Sequence, residues 1–180
     1  MTFLELVQKR QSVRRYQPGR RIPRDVLERC LDVARLAPSA CNSQPWSFVV
    51  VDDPAAVRDL AEAACTHPPF GMNKFARDAS ALIAVVTEKM KLAARLGAQF
   101  RGVQYSLVDL GIACEHLLLQ ATEEGLGSCW LGWFNERAVK KALEIPRAKK
   151  VDLLLCLGYP ADPTPRPKNR HPLDHIRRYA

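Results

Sequence analysis

The chain has 180 residues, 27 Lys and Arg against 19 Asp and Glu, a formal charge of +8 and 47% hydrophobic residues. That length suits one domain, 1–180, with its own core, and the apolar content is too high for a disordered chain. The longest uncharged apolar stretches run about ten residues against the roughly 20 that a membrane helix needs, which argues against a membrane span. Met1–Glu5 shows no export signal, since an acid stands at position 5 and no apolar h-region follows. The six cysteines (Cys30, Cys41, Cys65, Cys114, Cys129, Cys156) match no metal or redox spacing and read as buried, reduced thiols of a cytoplasmic protein.

In chain order, Thr2 and Glu5 form a capping box that opens a short helix to about Arg10. Residues 12–21 read as loop. Pro23 starts a helix whose inner side carries Val26, Leu27, Cys30, Leu31, Ala34 and Ala37, and Pro38 stops it. Trp46–Val51 has the β-branched and aromatic content of a strand. Asp53 caps a helix entered through Pro54, with Val57, Leu60, Ala61 and Ala64 inward. Residues 81–86 form a buried strand. The longest helical pattern spans 101–124, with Val103, Leu107, Leu110, Cys114, Leu117, Leu118 and Ala121 on its apolar side and Gly125 and Gly127 at its end. A strand over 127–133, a helix from the Asn135 cap to Leu143 and a strand over 151–158 follow. Five prolines beyond Tyr159 keep the remaining chain extended, and a segment of that kind needs another surface to lie on. Strands and helices do not alternate one for one, which favours α+β with a mixed sheet over a doubly wound parallel sheet.

The excess of positive charge is confined to the ends. Residues 1–24 hold seven Lys/Arg and one acid, residues 166–180 hold five and one, and the 141 residues between them carry 15 bases and 17 acids. Two loose polyanion-binding arms would be poor in apolar residues. Here Phe3, Leu4 and Val7 form a helical stripe, and Leu173, Ile176 and Tyr179 anchor the other end. Convergence of both ends on one anionic ligand therefore fits better. No stacking platform or recognition helix accompanies the charge, so nucleic acid is not expected as a partner.

Familiar catalytic motifs are missing. Gly125 and Gly127 close a helix and open a strand, the reverse of a dinucleotide fingerprint. The four histidines make no metal-binding spacing, so no metal site is expected, and no Gly-x-Ser-x-Gly elbow occurs. What stands out instead are irregular polar segments. Extended backbone would point Arg10, Ser12 and Arg14 the same way, and such a row can hold a phosphate and a hydroxylated chain. Residues 37–46 form a helix-to-strand turn dense in small polar groups, and Lys168 and Arg170 supply two cations from the far end.

Together these pieces resemble the nitroreductase family of flavin mononucleotide (FMN) enzymes over nearly the whole chain. The matching segments are Arg10-x-Ser12-x-Arg14, Pro38-Ser39-x-x-Asn42-x-Gln44-Pro45-Trp46, Asp109-x-Gly111-Ile112-Ala113, Leu117–Ala121, Gly125–Gly132, Leu157–Pro160 and Lys168-x-Arg170. The resemblance implies a nitroreductase-like α+β fold, with a mainly antiparallel mixed sheet flanked by helices. It also implies an intertwined homodimer in which residues 160–180 pack on the partner subunit. Arg10, Gln11, Ser12, Arg14, Lys168 and Arg170 would bind the phosphate, ribityl chain and pyrimidine edge of FMN, with Arg14 placing charge near N1–C2=O. Pro38, Ser39, Ala40 and Asn42 would lie on the ring from the other subunit. The Trp130–Leu131–Gly132 turn would run along the ring, a backbone N–H of Gly132 reaching N5, and Asn73 and Lys74 would contact the pyrimidine. His116, Cys41 and Cys129 read as packing residues.

The implied activity is a ping-pong oxidoreductase that passes hydride from NAD(P)H through flavin N5 to a nitroaromatic, quinone or similar planar acceptor. The cofactor carries that chemistry, so no acid–base dyad is required. The alternatives are a non-catalytic FMN-binding or flavin-storage dimer, and a specialised flavin chemistry such as reductive dehalogenation.

Overall fold

The computed structural model describes residues 1–65 and 67–180. Four antiparallel strands, β1 (Trp46–Val51), β2 (Ala81–Thr87), β3 (Gly127–Leu131) and β4 (Lys150–Gly158), form one sheet in the order β1-β2-β4-β3. β2 and β4 are central, which explains why both read as near-continuous apolar runs: each is covered on both faces. Leu82, Ala84, Val86, Cys129, Leu131, Leu154 and Cys156 pack to one side, with α3 (Pro54–Cys65), the 3-10 turn Gly71–Asp78 and α6 (Glu136–Ala142). Ala81, Ile83, Val85, Leu155 and Leu157 pack to the other, against α2 (Arg24–Arg35) and α5 (Tyr105–Glu123).

The helix starts follow the sequence closely. Thr2 and Glu5 make both bonds of the capping box of α1 (Phe3–Lys9), at 2.7 and 3.2 Å. Asp53 Oδ1 accepts from the N–H groups of Ala55 and Ala56, and Asn135 Oδ1 from that of Ala138. Pro23 is the cap residue of α2 rather than its first turn.

The expected helix over 101–124 divides. Gly102 takes the left-handed conformation (φ 63°) and closes a separate helix α4 (Leu92–Arg101), which the sequence reading missed. α5 then starts at Tyr105. At 1.5 Å per residue its 19 residues span about 28 Å. Leu107, expected inward, is exposed because it lies in the first turn, beyond the sheet. The 127–133 strand stops at Leu131. Cys41 is also exposed, in a left-handed turn at φ 51°, while the other five cysteines are buried and unpaired. No described helix is long and apolar enough to cross a membrane.

β3 is an edge strand, and its free edge is taken by the N-terminal loop. Val13 N–H donates to Ser128 O at 2.8 Å, making the parallel bridge Ser12–Ser128 that gives the sheet its mixed character. Tyr16 then reaches the core and donates its hydroxyl to Val13 O at 2.9 Å. From there the two ends of the chain are zipped antiparallel: Gln17 N–H to Tyr159 O, Ala161 N–H to Arg15 O, and Gln11 Nε2 to Thr164 O. After α7 (Leu173–Ile176) the chain runs out in extended form, and every residue from 161 to 180 is exposed.

Candidate functional site

The ribbon of residues 10–17 and 159–168 creates the site, because it carries both basic ends to the edge of β3. Arg166 Nη2 donates to Ser12 O at 2.6 Å and its Nε to Gln11 Oε1 at 3.0 Å; Lys168 Nζ donates to Arg10 O. Arg10 turns toward α5 and pairs with Glu115 at 2.6 Å. The Cys129 thiol, which donates to Trp130 O at 3.6 Å, lies within the electrostatic influence of Arg14, Arg10, Ser12 and Arg166.

The charge balance in this cradle is unequal. Burial, then the neighbouring Arg170 and Arg10 charges, lower the Lys168 ammonium from its ordinary value, and Glu115 opposes them only in part. Arg10 Nε is buried and has no hydrogen-bond partner among the described residues. Such a donor normally finds an acceptor. Clustered cations around an unsatisfied donor fit an anionic ligand with several acceptor oxygens, as a phosphate monoester has. The Cys129 thiol is raised by burial despite the cations, so it is a packing group rather than a nucleophile.

Other expected residues fall into two further groups. Asn73 Nδ2 donates to Trp133 O at 2.7 Å, which ties the 71–78 turn to the chain just past Gly132. Trp133 Nε1 in turn reaches Pro69 O, and its ring lies 5.6 Å from that of Phe70. Gly132 is exposed, and Lys74 is exposed beside Asn73. Leu131 is 1% exposed and committed to the core, so within the single chain it offers a ligand no surface. Trp130 packs toward α2 and α5 with a buried, unpartnered indole N–H.

The Pro38–Gln44 loop is anchored elsewhere. Ala40 N–H donates to both oxygens of buried Asp109 on α5, at 3.2 and 3.1 Å, and Ser39 Oγ accepts from Gln44 N–H. Asn42 and Gln44 hold positive φ and bond to each other through their side chains. Asp109 and Glu115, the α5 contacts of loop and cradle, stand six residues apart, about 9 Å along the axis and 120° around it. One chain therefore presents the loop and the cradle on different faces of α5. A cavity of about 910 Å³ beside α6 shares no residue with either. Asp109 lay within a quoted motif without a role; Glu115 gave no signal beyond an acid on an apolar helix.

A family model described as the nitroreductase family matches residues 7–159. The chain belongs to the nitroreductase family. A Thermus thermophilus NADH dehydrogenase is 33% identical over 93% of this chain and 91% of its own length. An iodotyrosine deiodinase of Thermotoga neapolitana is 30% identical over 92% of each. The fold matches the crystal structure of an Exiguobacterium sibiricum protein in complex with FMN, with TM-score 0.78, 24% identity and coverage of 100% of this chain and 98% of that one. The nitroreductase-like α+β architecture expected from the motifs is thus the architecture of this chain.

Proposed function

We propose that this nitroreductase-family chain is an FMN-dependent NAD(P)H oxidoreductase. The observation that carries the reading is the convergence of both chain ends around the buried, unpartnered Arg10 Nε. FMN supplies the redox chemistry when bound, accepting a hydride from NAD(P)H at N5 and delivering it to a nitroaromatic, quinone or similar planar acceptor in alternate half-reactions.

The chain's own residues bind and orient. Arg10, Lys168 and Arg170 hold the phosphate through charge-assisted bonds, and Ser12 and Gln11 serve the ribityl chain. Arg14 supplies positive charge to the pyrimidine edge, where it favours the reduced, anionic ring. Asn73 and Lys74 approach from the 71–78 turn, and the exposed Gly132 presents its backbone N–H.

Pro38, Ser39, Ala40 and Asn42 complete the site from a second copy, because within one chain they lie on another face of α5. Residues 160–180 pack on that partner. Leu173, Ile176 and Tyr179 are 58, 72 and 84% exposed on the single chain, and α1 buries none of its residues. The five buried, unpaired cysteines accord with a reducing, cytoplasmic setting.

The test is purification followed by a search for bound-flavin absorbance at about 450 nm, then anaerobic addition of NADH or NADPH. Bleaching, and reoxidation by a quinone, is the expected result. A bound flavin that neither donor bleaches would instead indicate a flavin-storage dimer. Kinship with the deiodinase supports reductive dehalogenation as a second reading, which halide release from a halotyrosine would report.

A further inference from the structure

Arg20 and Arg21 belong to the basic N-terminal segment but take no part in the cradle. With Arg58 of α3 and Arg77 of the 71–78 turn they line a separate cavity of about 80 Å³, to which Pro18 and Pro54 also contribute. Four arginines and a single acid, Asp78, are among its lining residues. Asp78 stands 3.9 Å from Arg77 Nε, at the outer limit of an ion pair. Among the described residues Arg21 and Arg58 have no hydrogen-bond or ion-pair partner.

Arg20 is fixed in place. Its guanidinium stacks 3.5 Å above the Tyr159 ring and donates to Gln17 Oε1, while its carbonyl accepts from Ser80 Oγ at 2.6 Å. Gly19, at φ 73°, makes the turn that aims it. Like charges gathered in a small pocket are unfavourable until an anion joins them, and the guanidinium fork matches the oxygens of a phosphate. The cavity is several times what a single water needs, which leaves room for a phosphate group.

We propose that this pocket is a second anion site, which binds the phosphate of free phosphate or of a phosphate ester. It sits where β2 begins and β4 ends, beside Ser80 and Tyr159. The Gly132 turn lies beyond the other end of β3. From Gly158 to Leu154, the levels of β4 paired with the two ends of β3, is four residues, about 13 Å of strand. The pocket shares no residue with the cradle.

The experiment uses FMN-saturated protein, so that the cradle is filled, titrated calorimetrically with inorganic phosphate at constant ionic strength. One saturable site is expected. In Arg58→Gln/Arg77→Gln it weakens about tenfold or is lost, as removal of two charge-assisted contacts requires, with FMN content unchanged. Both side chains are exposed, so folding is not at stake, and Arg21→Gln offers a milder second variant. Equal phosphate affinity in wild type and double variant, or no saturable binding, overturns the proposal. The KM values of the same variants identify the source: a rise confined to NADPH marks a nucleotide phosphate, and unchanged values for both donors mark free phosphate.

Discussion

Lys168 is drawn below the ordinary lysine value of 10.5 by burial and then by Arg170 and Arg10, with Glu115 pulling the other way. A phosphate placed among these groups favours the charged form. FMN affinity is therefore fullest below the depressed Lys168 value and falls as pH rises through it, at a pH below 10.5. Lys168→Met is expected to weaken FMN about tenfold at neutral pH and to flatten this alkaline decline, read by flavin fluorescence titration at neutral and alkaline pH. Glu136 behaves in the opposite sense. Partial burial works to raise its carboxyl, but Lys140, Lys150 and the Val151 N–H outweigh burial and bring it to about 2. A depressed acid stabilises the fold above its unfolded value of 4.5, and that contribution is lost as pH falls toward 2. Glu136→Gln should remove this share of the acid dependence of Tm while leaving the neutral side unchanged in slope.

Elements hold the cradle in register through contacts that tolerate little change. The Val13 side chain crosses Gly127 so closely that a Cβ there would stand 2.7 Å from Val13 Cγ2. Gly127→Ala forces the 12–16 segment off the β3 edge, at a cost of about 1–3 kcal/mol. A lower Tm together with weaker FMN binding is expected, since Ser12 and Arg14 ride on that segment. α5 anchors both the 38–44 loop and the cradle, through Asp109 and Glu115. Burial raises the Asp109 carboxyl, and the Ala40 N–H opposes that rise. Asp109→Ala leaves the Ala40 N–H unpaired, a loss of about 1–3 kcal/mol. Because it frees the 38–44 loop without touching the cradle, it should depress turnover more than it depresses retention of FMN.

At the scale of the molecule, the zipped ends solve a charge problem and leave a packing one. Twelve of the 27 basic residues lie in the two end segments, and the ribbon gathers Arg10, Arg166 and Lys168 among them at the β3 edge. The same ribbon leaves Leu173, Ile176 and Tyr179 projecting from a chain that offers them no cover. A second copy supplies that cover in the reading proposed above. Leu173→Asp/Ile176→Asp is expected to convert a dimer into a monomer in sedimentation and to lose FMN with it, although neither residue supports the single-chain core. A variant that stays dimeric with full flavin would remove these residues from the interface.

By itself the sequence determined the elements whose signals are local. Capping side chains at Thr2, Asp53 and Asn135 satisfy donors within three residues of themselves, and the apolar runs of β2 and β4 announce strands covered on both faces. The two-ended charge was equally legible, because composition carries it. Tertiary structure alone decided what depends on distant partners. Gly102 divided the long helical pattern, since a left-handed residue costs glycine almost nothing whereas apolar periodicity continues across the break. Glu115 became the counter-ion of Arg10, and Arg166 the clamp on Gln11 and Ser12, through pairings more than 100 residues apart in sequence. The four-arginine pocket likewise exists only because three separate segments meet at one end of the sheet; no window of sequence contains it.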